Sequence, residues 1–110
     1  STATRTDYQR FMRNYYVPED AWEHVYPTLL PQWDRTPRAG EKAEVLIQAT
    51  PQRFKETILD AMNHIKDKTP QHQILFLKAW NEWGEGDYVE PDQTFGHGWL
   101  DAIRDAVNNK

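Results

Sequence analysis

Gln73-Ile74-Leu75-Phe76-Leu77-Lys78-Ala79-Trp80-Asn81-Glu82-Trp83-Gly84-Glu85-Gly86-Asp87-Tyr88-Val89-Glu90-Pro91-Asp92 is the stretch whose reading decides the fold. Its first five residues are a short apolar run, which reads as a buried strand. Residues Thr94 to Val107 after it read as a helix, with Phe95, Trp99, Ile103, Ala106 and Val107 on one face. Between them, Trp80 to Asp92 holds two tryptophans, two glycines and five carboxylates in thirteen residues. A strand, a polar loop and a helix in that order place chemistry at the C-terminal end of a strand in α/β proteins.

Working back, Thr50 reads as an N-cap and Pro51 as the first helical residue, where its missing N–H costs nothing. Phe54, Ile58, Ala61, Met62 and Ile65 then form one apolar face of a helix that runs to about Lys66 or Lys68 and is ended by Pro70. Both lysines suit the negative end of the helix dipole. Val45-Leu46-Ile47 reads as a short extended piece. Val25 to Leu30 reads as a strand weakened by Pro27, and residues 31–40 as an irregular loop in a segment with three prolines between 27 and 37. That loop carries Trp33, Asp34 and Arg35. Either they face a ligand, with Trp33 stacking on a ring, or an aspartate–arginine pair ties the loop over a half-buried tryptophan. Residues 1–24 read as a helical lead-in. Tyr8, Phe11, Met12 and Tyr15 form its face, Thr6 or Asp7 its cap, and a second short helix starts at Pro18.

Composition narrows the function. Seventeen acidic against thirteen basic residues give a formal charge of −4, without a basic run, so nucleic acid is not the expected partner. The chain has no cysteine, which excludes disulfides, thiolate metal sites and a cysteine nucleophile. No apolar stretch approaches the roughly 20 residues that span a bilayer. No signal-peptide pattern is visible, which favours the cytoplasm slightly and leaves the compartment unassigned. A metal reading of His97 with Glu90 and Asp92 lacks familiar ligand spacing, and neither a metal nor a cofactor is expected. Five tryptophans and five tyrosines are many for so acidic a chain; such rings serve cores, interfaces or sugar-stacking platforms.

Glu82 and Glu85 are the candidate catalytic pair. In a helical turn, residues three apart have Cβ atoms about 5–6 Å apart on one side; in an extended loop they span roughly 10 Å and face opposite ways. Carboxylates about 5–5.5 Å apart suit retaining glycoside cleavage and about 6.5–9.5 Å suits inversion. Trp80 and Trp83 can desolvate a carboxyl or stack on a pyranose, and Asn81 can bond a sugar hydroxyl. The competing reading is an acidic surface loop whose tryptophans plug the core.

Residues 80–92 resemble the C-terminal signature of the WbsX-like family of glycosyltransferase-like or lipopolysaccharide-biosynthesis proteins. These are related to glycoside hydrolase family 99, the endo-α-mannosidases and endo-α-mannanases. Tyr26-Pro27 through Pro31-Gln32-Trp33-Asp34-Arg35-Thr36-Pro37-Arg38, Ala49-Thr50-Pro51-Gln52-Arg53-Phe54 and Phe95-Gly96-His97-Gly98-Trp99-Leu100 look alike in the same order. The resemblance implies that the chain is a C-terminal fragment of a (β/α)₈ barrel, contributing about two parallel strands with flanking helices. A whole barrel takes about 250 residues. It further implies that Glu82 acts as base toward a sugar 2-hydroxyl, through an anhydro-sugar intermediate, and that Glu85 is acid/base at the glycosidic oxygen. Trp80, Asn81, Trp83, Trp33, Asp34, Arg35 and Glu90 would bind an oligosaccharide or polysaccharide. Gly84 departs from the pattern, standing where mannan-cleaving relatives carry histidine. The chain alone is expected to be inactive and to associate with itself or with the missing part of its barrel. The alternatives are a non-catalytic carbohydrate-binding piece and a small α/β interaction domain.

Overall fold

A computed structural model describes residues 4–34 and 44–108. It is a mixed α/β fold with two parallel strand pairs. Strands β1 (Thr4–Asp7) and β4 (Glu44–Ile47) run parallel, and β3 (Trp33–Asp34) adds antiparallel to the other edge of β4. Strands β2 (Thr28–Leu29) and β5 (Phe76–Leu77) form the second parallel pair. An antiparallel hairpin of β6 (Asn81–Glu82) and β7 (Asp87–Tyr88) follows.

The helix after Thr50 forms as its sequence predicts. Helix α2 (Pro51–Ile65) has Thr50 as its N-cap, whose hydroxyl accepts from Arg53 N at 3.2 Å. Phe54, Ile58, Ala61 and Ile65 are buried along one face, with Met62 packed beside them. Lys68 does not sit at the helix end as a dipole partner. It folds back, buried, to donate to the Val25 carbonyl and lies over the Tyr26 ring.

Helix α1 (Tyr8–Met12) is shorter than the residues 7–15 suggested and is preceded by a strand, so residues 1–24 are not a purely helical lead-in. Asp7 is its cap, accepting from Arg10 N at 3.0 Å. Its inward residues are Tyr8 and Met12, followed by Tyr16; Phe11 and Tyr15 instead line an apolar hollow of about 360 Å³ with Trp33 and Leu46. Pro18 opens a 3-10 turn, Pro18–Ala21.

Tyr8 and Tyr16 carry the lead-in into the core. The Tyr8 hydroxyl donates to the Leu30 carbonyl at 2.5 Å and Tyr16 to that of Thr28 at 2.7 Å. Two buried phenols thus satisfy one carbonyl in β2 and one just after it, groups that would otherwise be costly to desolvate. Burial raises both phenols well above their ordinary pKa.

Three expectations need correction. Strand β5 covers only Phe76–Leu77 and is not buried: Phe76 and Ile74 are exposed. Its sheet has two strands among the described residues, so much of its surface is uncovered. Strand β2 begins only after Pro27, whose ring nitrogen cannot join a ladder. The last helix, α3 (Gly98–Asn108), starts four residues later than Thr94. Asp92 and Gly96 exchange backbone hydrogen bonds of 3.1 and 2.9 Å, and Asp92 Oδ1 accepts from Phe95 N at 2.7 Å. That closed turn, with Gly96 left-handed at φ 56°, takes the residues expected for the first helical turn. Trp99 then enters the core edge-on to Phe54 and Phe95.

Candidate functional site

The stretch between β5 and α3 holds a hairpin that combines the two alternatives, short extended strands and a tight helical turn at its tip. β6 pairs Asn81 with Tyr88 and Glu82 with Asp87. A 3-10 turn, Trp83–Glu85, joins the strands, and Gly86 leaves it in the left-handed region at φ 57°. Glu82 flanks the turn and Glu85 ends it. Both glutamates are half-buried, while Trp80, Asn81 and Trp83 are exposed.

Trp83 is held on two sides. Its ring lies flat on Tyr88, with centroids 3.7 Å apart and planes at 14°. Its indole N–H donates to Glu90 Oε1 at 2.8 Å. The sequence offers Glu90 as a sugar ligand; here its carboxylate orients the indole. Trp83 remains 46% exposed, at the edge of an open hollow of about 450 Å³ with Tyr88, Pro91, Asp92, Gln93 and Thr94.

Asp92 ties this platform to the core. Its Oδ2 accepts from the Tyr88 hydroxyl and from Trp99 Nε1, both at 3.0 Å. Burial alone would raise the Asp92 carboxyl, yet the donors from Phe95, Trp99 and Tyr88 hold it below the usual range. A carboxylate so occupied is spent on structure, which argues against the metal reading with His97.

Trp33 and Asp34 sit on β3, not in an irregular loop, and Asp34 reaches the hairpin while Trp33 lines the separate hollow with Phe11 and Tyr15. A Cβ on Gly86 would stand 2.7 Å from both the Cβ and the carbonyl oxygen of Asp34, so the two backbones touch. The Trp33 ring has Lys78 Nζ 4.7 Å from its centroid, and Gln32 Nε2 donates to the Tyr88 carbonyl at 2.9 Å. Arg35 lies outside the described residues.

Asp87, which sequence reasoning passed over, is fully buried. Its Oδ1 accepts from Ala79 N at 2.9 Å, where the preceding Lys78–Ala79 peptide is cis. Burial pushes its carboxyl up to about 7; Glu85 and Glu82 add to the rise, while the Ala79 N–H and Lys78 oppose it. The charged neighbours disguised Asp87 as part of a solvated loop.

Among the described residues, no helix is long and apolar enough to cross a membrane. Comparison with known proteins supplies the remaining context. Two proteins from two strains of Xanthomonas campestris pv. campestris, each described as uncharacterized protein WxcX, are 38% identical to this chain over 84 residues. The aligned region is 76% of this chain and 12% of each relative, so the chain spans a small part of the curated relatives it matches. No solved structure matches it. The family model described as glycosyltransferase WbsX matches residues 1–103, and the chain belongs to that family.

Proposed function

We propose that this chain is the C-terminal part of a (β/α)₈ barrel protein that cleaves or transfers glycosidic bonds in a bacterial polysaccharide or surface glycan. The observation that carries the reading is the hairpin tip. It gathers Glu82 and Glu85 around one tight turn, beside a tryptophan stacked and hydrogen-bonded into place. Membership of a family described as glycosyltransferases supports the substrate class. The parallel pairs β1–β4 and β2–β5 support the barrel, whose active face lies at the C-terminal ends of its strands.

In this reading Glu82 takes the proton of the sugar 2-hydroxyl. The freed oxygen attacks the anomeric carbon, the glycosidic bond breaks, and Glu85 protonates the departing oxygen. An acceptor hydroxyl or water then opens the anhydro-sugar; Glu85 takes the acceptor proton and Glu82 returns its own to the 2-oxygen. Trp83 and Trp80 supply stacking surfaces, Asn81 and Asp34 hydrogen bonds, and Trp33 a wall. Arg35 adds a cation by its sequence position next to Asp34. Glu90 serves indirectly by fixing Trp83.

The test is turnover of polysaccharide by the full-length protein, with products identified by mass spectrometry. Glu82→Gln and Glu85→Gln should each abolish turnover and leave folding intact. Full activity in both variants would remove the pair from the chemistry. Oligosaccharide binding without any product from the wild type would make the region a binding module.

A further inference from the structure

Asp87 opens strand β7 with none of its surface exposed. One carboxylate oxygen is satisfied by Ala79 N. The other, Oδ2, is buried without a hydrogen-bond partner among the described residues. Lys78 Nζ stands 3.9 Å from it, on a side chain that is itself half exposed. The hairpin register sets Asp87 directly opposite Glu82. Opposed residues of an antiparallel pair project from the same face with Cβ atoms about 4.5–5.5 Å apart, and like charges there repel. Glu85 adds a further negative charge from the turn. The Asp87 charge adds to the rise that burial gives the Tyr8 and Tyr15 phenols. The group thus faces one half-exposed cation, two acids and two phenols. A buried acid with an unpaired oxygen opposite another acid is most stable when it holds a proton.

We infer that Asp87 is a positioning residue for the glycosidic chemistry: buried directly across the hairpin from Glu82, it holds its proton as a neutral neighbour of the proposed base, and it anchors the Ala79 N–H at the root of the strand carrying Glu82. The inference rests on the assignment of Glu82 proposed above. Asp87 is sealed from solvent, whereas Glu82 is half-buried. Neutral Asp87 gives Glu82 a neutral neighbour. Ionised Asp87 sets a second charge against it and is drawn toward Lys78. Activity should therefore change at the pH where Asp87 loses its proton.

The experiment is carbon-13 NMR of the full-length protein labelled at aspartate Cγ. One aspartate signal, shielded from a soluble paramagnetic agent and missing in Asp87→Asn, should titrate near neutral pH. In Glu82→Gln its midpoint should fall by about one pH unit, since a like charge has been removed. A midpoint in the ordinary aspartate range, or one indifferent to Glu82→Gln, overturns the inference. If Asp87→Asn does not fold, the wild-type titration of the shielded signal and its response to Glu82→Gln still decide. The kinetic companion is the pH profile of kcat/KM. Asp87→Asn, which mimics the protonated form, should lose the neutral-range inflection; an unchanged profile overturns the positioning role. A wild type that turns over no glycan, yet shows the expected coupled titration, would sink the glycosidic reading and leave the Glu82–Asp87 coupling standing.

Discussion

The Trp83 ring lies on the Tyr88 ring at 3.7 Å, nearly parallel, so that one face of the indole is covered by protein while much of the side chain stays in solvent. Its orientation is fixed further by Glu90, and Tyr88 is itself fixed through Asp92 to Trp99 in the core. A rigid aromatic surface needs little ordering when a flat ligand lands on it.

Binding should depend on that rigidity. Trp83→Ala should weaken oligosaccharide binding by about 1–2 kcal/mol, close to tenfold. Tyr88→Phe keeps the stack but loses the hydrogen bond to Asp92, and should weaken it by less. Calorimetric titration of the full-length protein measures both.

Stability should fall as pH rises through the mildly acidic range. Asp87 has its folded pKa raised, to about 7 from an ordinary 3.8, so the folded state binds the proton more tightly than the unfolded one. The resulting stabilisation is fully present below the unfolded value and is lost by the time pH passes the folded value. Asp87→Asn should therefore flatten the change in Tm between about pH 4 and pH 7. It should also raise stability above pH 7 by up to about 4 kcal/mol, the limit set by a shift of this size. Thermal melts across that range check it; an unchanged slope would contradict it.

Gly86 and Gly96 are both left-handed, yet should differ in tolerance. A side chain at Gly86 meets the Asp34 backbone, whereas a Cβ at Gly96 has nothing within 4 Å. Gly96→Ala should cost only the backbone conformation, about 1–2 kcal/mol. Gly86→Ala should cost more, and should also displace Asp34 from the hairpin. Chemical denaturation of the two variants gives the comparison.

Tyr8→Phe leaves the Leu30 carbonyl and Thr57 hydroxyl without their phenol. Tyr16→Phe does the same to the Thr28 carbonyl. Each should lower stability by about 1–3 kcal/mol, the usual cost of stranding a buried polar group. Denaturation midpoints measure it.

Legibility in the sequence followed the kind of signal each element carried. Helix α2 could be read because its cap, its proline and its apolar spacing all reported the same local geometry. Strand β1 could not: Thr4-Arg5-Thr6-Asp7 has no apolar side chain, and only pairing with the distant β4 makes it a strand. Strand β3 hid among prolines for the same reason. In the site, residue types pointed to Glu82, Glu85 and the tryptophans, but spacing alone left open whether the loop was helical or extended. Gly86 resolves that, because its left-handed backbone turns the chain into β7. The structural duties of Glu90 and Asp92 depend on contacts with Trp83, Tyr88 and Trp99 that no local pattern encodes.

The most direct test of the roles assigned to the two glutamates compares donors with poor and good leaving groups. The full-length protein carrying Glu82→Gln or Glu85→Gln would be assayed with an alkyl glycoside and with an aryl glycoside of an acidic phenol. An acid catalyst contributes roughly 10²–10⁴-fold to a step that needs protonation and far less when the leaving group departs unaided. Glu85→Gln should therefore recover most of its lost rate on the aryl donor, while Glu82→Gln stays inactive on both. Equal losses on both donors for Glu85→Gln, or rescue of Glu82→Gln instead, would contradict the assignment.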